Sequence, residues 1–188
     1  MSNIITRPLS TAELMQLVLG VNQPWKSIYF IAAYTGLRIS DLLDFPWTDL
    51  PGSRPICEHK TGKKKFLFWS VQARSYWSAL YSWGPPRDFL FPYRDPSTYR
   101  KSIQADCTAL GISPDRIAFH SLRKTHAVIA FHVGGIWMAK TTMNHSHVST
   151  TERYIETALE FDTGAAFDEI FADGIAPGGT KGAPDEQR

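Results

Sequence analysis

The segment "AFHSLRKTHAVIAFHVGG", residues 118–135, constrains the fold more than any other part of the chain. Phe119, Leu122, His126, Ile129 and Val133 recur at spacings of 3, 4, 3 and 4, the period of one helix face. Such a stripe must be covered by other elements. The spacing therefore predicts a helix buried along this line and stopped by Gly134–Gly135. His126 lies on the stripe and reads as a core histidine.

The flanking segments supply the cover. "STAE", Ser10 to Glu13, is a capping box, which predicts a helix over residues 11–19. "PWKSIYFIAAYTG" predicts a largely buried helix ending at Gly36, and "LRISDLLDF" a short helix stopped by Pro46. "CEHKTGKKKFLFW" has two strand-like pieces around "TGK", the pattern of a hairpin. "QARSYWSALYSW" is helical, with Tyr76, Leu80 and Trp83 at core spacing, and residues 97–110 form another helix. "IWMAKTTMN" predicts a short helix, and a second capping box, Ser149 to Glu152, starts the one in "STTERYIE". The fold class is mainly α with one small β-hairpin. A single domain is expected over 1–172, and 173–188 has the Gly- and Pro-rich composition of a tail.

A length of 188 residues suits one domain with a real core. No run approaches the roughly 20 apolar residues of a membrane span, and the N-terminus lacks the pattern of a signal peptide. Cys57 and Cys107 stand far apart, as ordinary reduced thiols would, so a cytoplasmic location is expected. Charge is unevenly placed. Residues 1–151 hold 17 Lys/Arg against 9 Asp/Glu, and residues 152–188 hold 3 against 9. A basic body points to a polyanionic partner. His120, His126, His132, His145 and His147 match no usual zinc spacing, so no metal is expected.

Candidate chemistry begins beside the stripe. His120 and Arg123, at i and i+3, are neighbours on one helix surface. Arg38 stands among Leu37, Ile39, Leu42 and Leu43, where a lone charge is costly, and Asp41 is spaced to hold it. "MNHSHVSTTERYIE" then brings His145 and, nine residues on, Tyr154.

Together these motifs resemble the tyrosine recombinases, the family of phage integrases and DNA invertases, in order from residue 10 to about 160. "TGLRISDLL" is similar to the first-arginine motif, which makes Arg38 a clamp residue and Asp41 its acidic support. "HKTGKKKFLF" is similar to the lysine-bearing hairpin, with Lys60 the best match and Lys63 the fallback. "HSLRKTHA" is similar to the His-x-x-Arg motif, giving His120 and Arg123. "MNHSHVSTTERYIE" is similar to the second-histidine box and nucleophile helix, giving His145 and Tyr154. The gaps of 22 from Arg123 to His145 and nine to Tyr154 are the family's usual ones.

The resemblance implies site-specific cutting and rejoining of double-stranded DNA through a 3′-phosphotyrosine. Two guanidinium forks would match a phosphate's oxygens, and a hairpin lysine would protonate the leaving 5′ oxygen. Neither metal nor ATP is implied as a cofactor. Lys63, Lys64, Lys65 and Arg153 are expected to touch phosphates. A homo-oligomer of two to four copies on DNA is expected, with the apolar face Ala166, Phe167, Ile170 and Phe171 docking either on a neighbour or on its own core. Two departures stand out. Met143–Asn144 replaces the usual Leu-Gly, and the first-arginine motif begins near residue 35, leaving no room ahead of it for a DNA-clamping domain. A bare catalytic domain, similar to small invertases and aided by a helper DNA-binding protein, is the expectation. A non-catalytic DNA-binding regulator on the same fold, or a relaxing topoisomerase, are the alternatives.

Overall fold

The computed structural model describes residues 6–47, 56–67, 69–145, 147–149, 151–152 and 155. Six helices and one hairpin are assigned among them: α1 Thr11–Gly20, α2 Trp25–Thr35, α3 Ile39–Leu43, β1 Ile56–Cys57, β2 Lys64–Lys65, α4 Val71–Tyr81, α5 Pro96–Ala109 and α6 Phe119–Thr142. The strands are antiparallel, with Ile56 opposite Lys65 and Cys57 opposite Lys64.

Helix ends follow the local chemistry. Ser10 Oγ accepts from Glu13 N at 3.1 Å while Ser10 N donates to Glu13 Oε2 at 2.9 Å, so the capping box is closed in both directions. Arg7 grips the same Glu13 carboxylate with both Nη atoms at 2.7 Å, fixing the chain that enters α1. Asp95 caps α5, with Pro96 in its first turn. α6 starts without an N-cap side chain, and Ser121 Oγ instead accepts from Ala118 N.

α2 is the hub. It packs against α1, α4 and α6. Its Ile28, Tyr29, Ile31 and Ala32 are buried among Leu17, Trp77, Leu80, Tyr99, Ile103, Phe119 and Leu122. α6 enters this core so deeply that residues 121–125 are all buried. The expected stripe therefore holds only in part. Phe119 and Leu122 are buried, but Ile129 is 40% and Val133 72% exposed, because α6 runs past the end of α2 and out of the core. α4 presents Ala73, Trp77 and Leu80 inward; Tyr76 is half-buried one residue from that face, and Trp83, also half-buried, lies beyond the helix end. The double glycine breaks α6 as expected. Gly134 and Gly135 have non-helical backbone angles, and the helix resumes beyond them. Ala130 and Ala139, on either side of the break, pack with Ile155 in a second small core.

α2 stops because Gly36 takes φ 60° and returns its N–H to Ala32 O. A Cβ at Gly36 would meet the His126 ring at 2.5 Å, so this turn requires glycine both for its angles and for its space. Gly36→Ala should cost about 1–2 kcal/mol from left-handed strain alone, plus the clash. Urea unfolding is expected to show the loss, and His126→Ala in the same chain to recover the clash part. An unchanged midpoint in Gly36→Ala would contradict this geometry.

Candidate active site

The site grows from the end of α2. Beyond Gly36 the chain extends, and Arg38 becomes the residue that precedes α3. Its Nη1 donates to Glu58 Oε2 at 2.9 Å. Glu58 directly follows β1, its side chain is fully buried, and the same Oε2 accepts from Thr61 Oγ1 at 2.9 Å. Burial would raise the Glu58 pKa. Hydrogen bonds from Thr61 and Arg38, and the charges of Arg38 and Arg123, outweigh it and hold the carboxyl below its usual range. The ion pair expected between Asp41 and Arg38 is thus made by Glu58. Asp41 is buried and accepts from His59 N at 2.9 Å, so it fastens the hairpin to α3.

Arg123 is 1% exposed and spans three parts of the site. Its Nη1 donates to Gly36 O, and its Nη2 to Met143 O at 3.1 Å and His145 Nε2 at 3.2 Å. A guanidinium only donates, so His145 Nε2 must accept and Nδ1 must carry the proton. Nδ1 then donates to Thr151 Oγ1 at 2.9 Å. Thr151 is fully buried and lies three residues before Tyr154. Tyr154 and Arg153 themselves fall outside the described residues.

The unusual Met143–Asn144 pair has a structural answer. Asn144 takes φ 56°. Asn144 N donates to Thr141 O at 3.0 Å and His145 N to Lys140 O at 3.1 Å, the two bonds of a Schellman cap. Asn tolerates the left-handed position that glycine would otherwise fill. The cap aims His145 back at Arg123 and leaves Met143 buried with its carbonyl on the same guanidinium.

Burial, then the charges of Arg123 and Arg38, push His145 down to about 4. His120 stands at the exposed rim. Crowding by protein and then Arg123, Lys124 and Arg38 lower its pKa from 6.5. Both imidazoles are therefore neutral at pH 7 and able to accept a proton.

The hairpin separates its lysines. Lys60 is exposed in the turn, Lys64 is exposed and Lys63 half-buried. Lys65 differs from the expected phosphate contact. Strand side chains alternate, and Lys65 points inward, 7% exposed, donating from Nζ to Thr35 O at 2.6 Å. Burial first, then repulsion by Arg123, pushes it down to about 7. Nearby, His126 Nδ1 donates to Ala33 O at 3.0 Å, consistent with a core histidine. Sequence reasoning missed Glu58 and Thr151, and it gave Lys65 an outward phosphate contact in place of the buried bond to Thr35 O. The one signal was an acid at the end of a predicted strand.

A buried and a half-buried arginine, two neutral imidazoles and a lysine hairpin thus surround one helix end. The family model described as "Phage integrase family" matches residues 9–160.

The chain belongs to the phage integrase family.

Solved structures agree in fold. XerA recombinase superposes with a TM-score of 0.70 at 21% identity, over 92% of this chain and 66% of that one. A lambda integrase dimer bound to a COC′ core site gives 0.67 at 17%, over 82% and 60%. The Tn1549 transposon integrase in complex with a circular intermediate DNA gives 0.67 at 16%, over 78% and 60%. The chain spans about two thirds or less of the length of each. No curated protein sequence matches. This integrase-family chain has the tyrosine recombinase catalytic-domain fold. No helix among its described residues is long and apolar enough to cross a membrane.

His145 supplies a test. Its folded pKa, about 4, lies below its unfolded value of 6.5. Folding thus favours the neutral ring, a contribution present above pH 6.5 and lost as pH falls toward 4. Nitrogen-detected NMR should show a neutral, Nδ1-protonated His145 at pH 6, and Thr151→Val should disturb that signal. A midpoint near 6.5 would refute the assignment.

Proposed function

We propose that this integrase-family chain cuts and rejoins double-stranded DNA at specific sites, with Tyr154 as the nucleophile and a 3′-phosphotyrosine as the intermediate. Arg38 and Arg123 hold the scissile phosphate's non-bridging oxygens and balance the charge that builds as Tyr154 attacks. The tyrosine proton passes to the neutral imidazole of His120, while His145, engaged at both nitrogens by Arg123 and Thr151, orients the guanidinium. The bond from phosphorus to the 5′ oxygen breaks, and Lys60 protonates that oxygen from the exposed hairpin turn. The phosphotyrosine ester retains the bond energy, and a 5′-hydroxyl from another strand reverses the step. Lys63, Lys64 and Arg153 contact the DNA backbone.

The observation that carries this reading is the chain of contacts from Gly36 O through Arg123 and His145 to Thr151, which stands three residues before Tyr154 in the sequence. A purely structural histidine needs no such tie to the segment that bears a nucleophile. Neutral rings beside guanidiniums suit proton acceptance next to an anionic substrate.

The same reading includes assembly of two to four copies on DNA. Its support is an open cavity of about 510 Å³ lined by Phe30, Phe66, Ile129, Val133 and Met138, several of them exposed. It matches in chemistry the apolar residues Ala166, Phe167, Ile170 and Phe171 of a neighbouring copy, which lie outside the described residues. The same reading includes a helper DNA-binding protein at the site.

Nicked suicide DNA tests the chemistry. The native protein should become covalently trapped, and Tyr154→Phe should lose trapping entirely while DNA retardation stays within about threefold. Equal trapping by Tyr154→Phe would reject the nucleophile. Retardation without any adduct in the native protein would indicate a DNA-binding accessory instead. Truncation at Asp162 should leave trapping on isolated sites but abolish synapsis, and normal synapsis would exclude the docked-helix assembly.

A further inference from the structure

We propose that Glu58 is the positioning residue of the first clamp arginine, and that it couples Arg38 to the turn that carries Lys60. The proposal rests on the reading of Arg38 and Lys60 given above and adds a residue to it.

The geometry is specific. Glu58 Oε2 accepts from Arg38 Nη1 and from Thr61 Oγ1, each at 2.9 Å. Thr61 directly follows Lys60. The Glu58 backbone closes the same turn, its N–H donating to Lys63 O at 3.0 Å and its carbonyl accepting from Gly62 N at 2.8 Å. One buried residue therefore defines the turn with its main chain and the guanidinium with its side chain.

The Arg38 side chain is 23% exposed, whereas that of Glu58 is fully buried. Glu58 thus lies beneath the arginine and leaves its open side for a phosphate. The second carboxylate oxygen, Oε1, is buried and has no hydrogen-bond partner among the described residues. An unsatisfied buried carboxylate oxygen is costly, so the carboxylate is retained for its charge toward the guanidiniums. Arg123 adds a second positive charge close enough to stabilise it. An arginine released from such an anchor regains many rotamers, and fixing it again on substrate binding would cost entropy.

Asp41 does not substitute. Its Oδ1 is committed to His59 N, the first residue of the turn after Glu58. The two acids divide the work: Asp41 places the hairpin, and Glu58 places the arginine within it.

The test uses the full chain and has two arms. In the first, Glu58→Gln keeps the shape and removes the charge. Its rate of covalent trapping on suicide DNA should fall about 10–100-fold, with DNA affinity within about threefold. Glu58→Asp should recover part of the rate. Combining Glu58→Gln with Arg38→Lys should cost no more than Arg38→Lys alone, because both remove one contact. Fully additive losses, or a Glu58→Gln rate within twofold of native, would overturn the proposal.

The second arm needs no catalysis. The Arg38 Nε–Hε resonance should be a single sharp signal in the native protein. It should shift or broaden in Glu58→Gln and return with Glu58→Asp, while backbone amide spectra show both variants folded. If no protein forms an adduct but this resonance follows residue 58, the recombinase reading fails and the Glu58 anchor stands. If the resonance ignores residue 58, the anchor fails whatever the activity.

Discussion

The last turn of α2 is the point on which the site depends. Ala33 O, Thr35 O and Gly36 O face the same region and receive His126, Lys65 and Arg123 respectively. A helix ends with unpaired carbonyls and a partial negative charge, so it is a natural seat for cationic donors. Here that seat is inside the protein, where solvent competes least. The left-handed Gly36 exposes the carbonyls and also clears the space the His126 ring fills. A single backbone reversal thereby sets the positions of the hairpin, through Lys65, and of α6, through Arg123.

Electrostatically the region is crowded with positive charge. Arg38 and Arg123 depress His145, and Arg123 depresses Lys65. Glu58 and Asp41 are the buried anions that offset them, and each also fixes a piece of backbone or a guanidinium. The two guanidiniums and two carboxylates balance, and the partly charged Lys65 leaves a small positive excess. Neutral histidines fit the same picture, since adding protons to those rings would deepen the imbalance.

Much of this was legible in the sequence, for reasons that differ by residue. Arg38, His120, Arg123 and His145 sit in short motifs whose spacing along helices and caps is set by local geometry, and reading them needs no knowledge of packing. Asn144 was legible too, because its backbone tolerance is intrinsic. Glu58, Lys65 and Thr151 were not, because each acts through a tertiary contact. Whether Lys64 or Lys65 turns inward is decided by hairpin register, and a shift of one residue inverts the answer. Trp77 rather than Tyr76 faces the core for a similar reason: an aromatic-rich helix offers several plausible faces, and only its neighbours choose between them. The stripe on α6 was read correctly in period and too far in extent, since periodicity cannot tell where a covering helix stops.

The hairpin's small size has a further consequence. Strands of two residues each supply too few ladder bonds to hold an orientation by themselves. Side chains therefore hold its pose: His59 pairs with Asp44, and three more, Glu58, Lys65 and Asp41, tie it beside the guanidiniums. Such an element behaves less like scaffold than like the pointer of a balance. A bound anion that draws on the guanidiniums would loosen or tighten those same three tethers, so the lysine-bearing turn would register whether the clamp is full before any bond is broken.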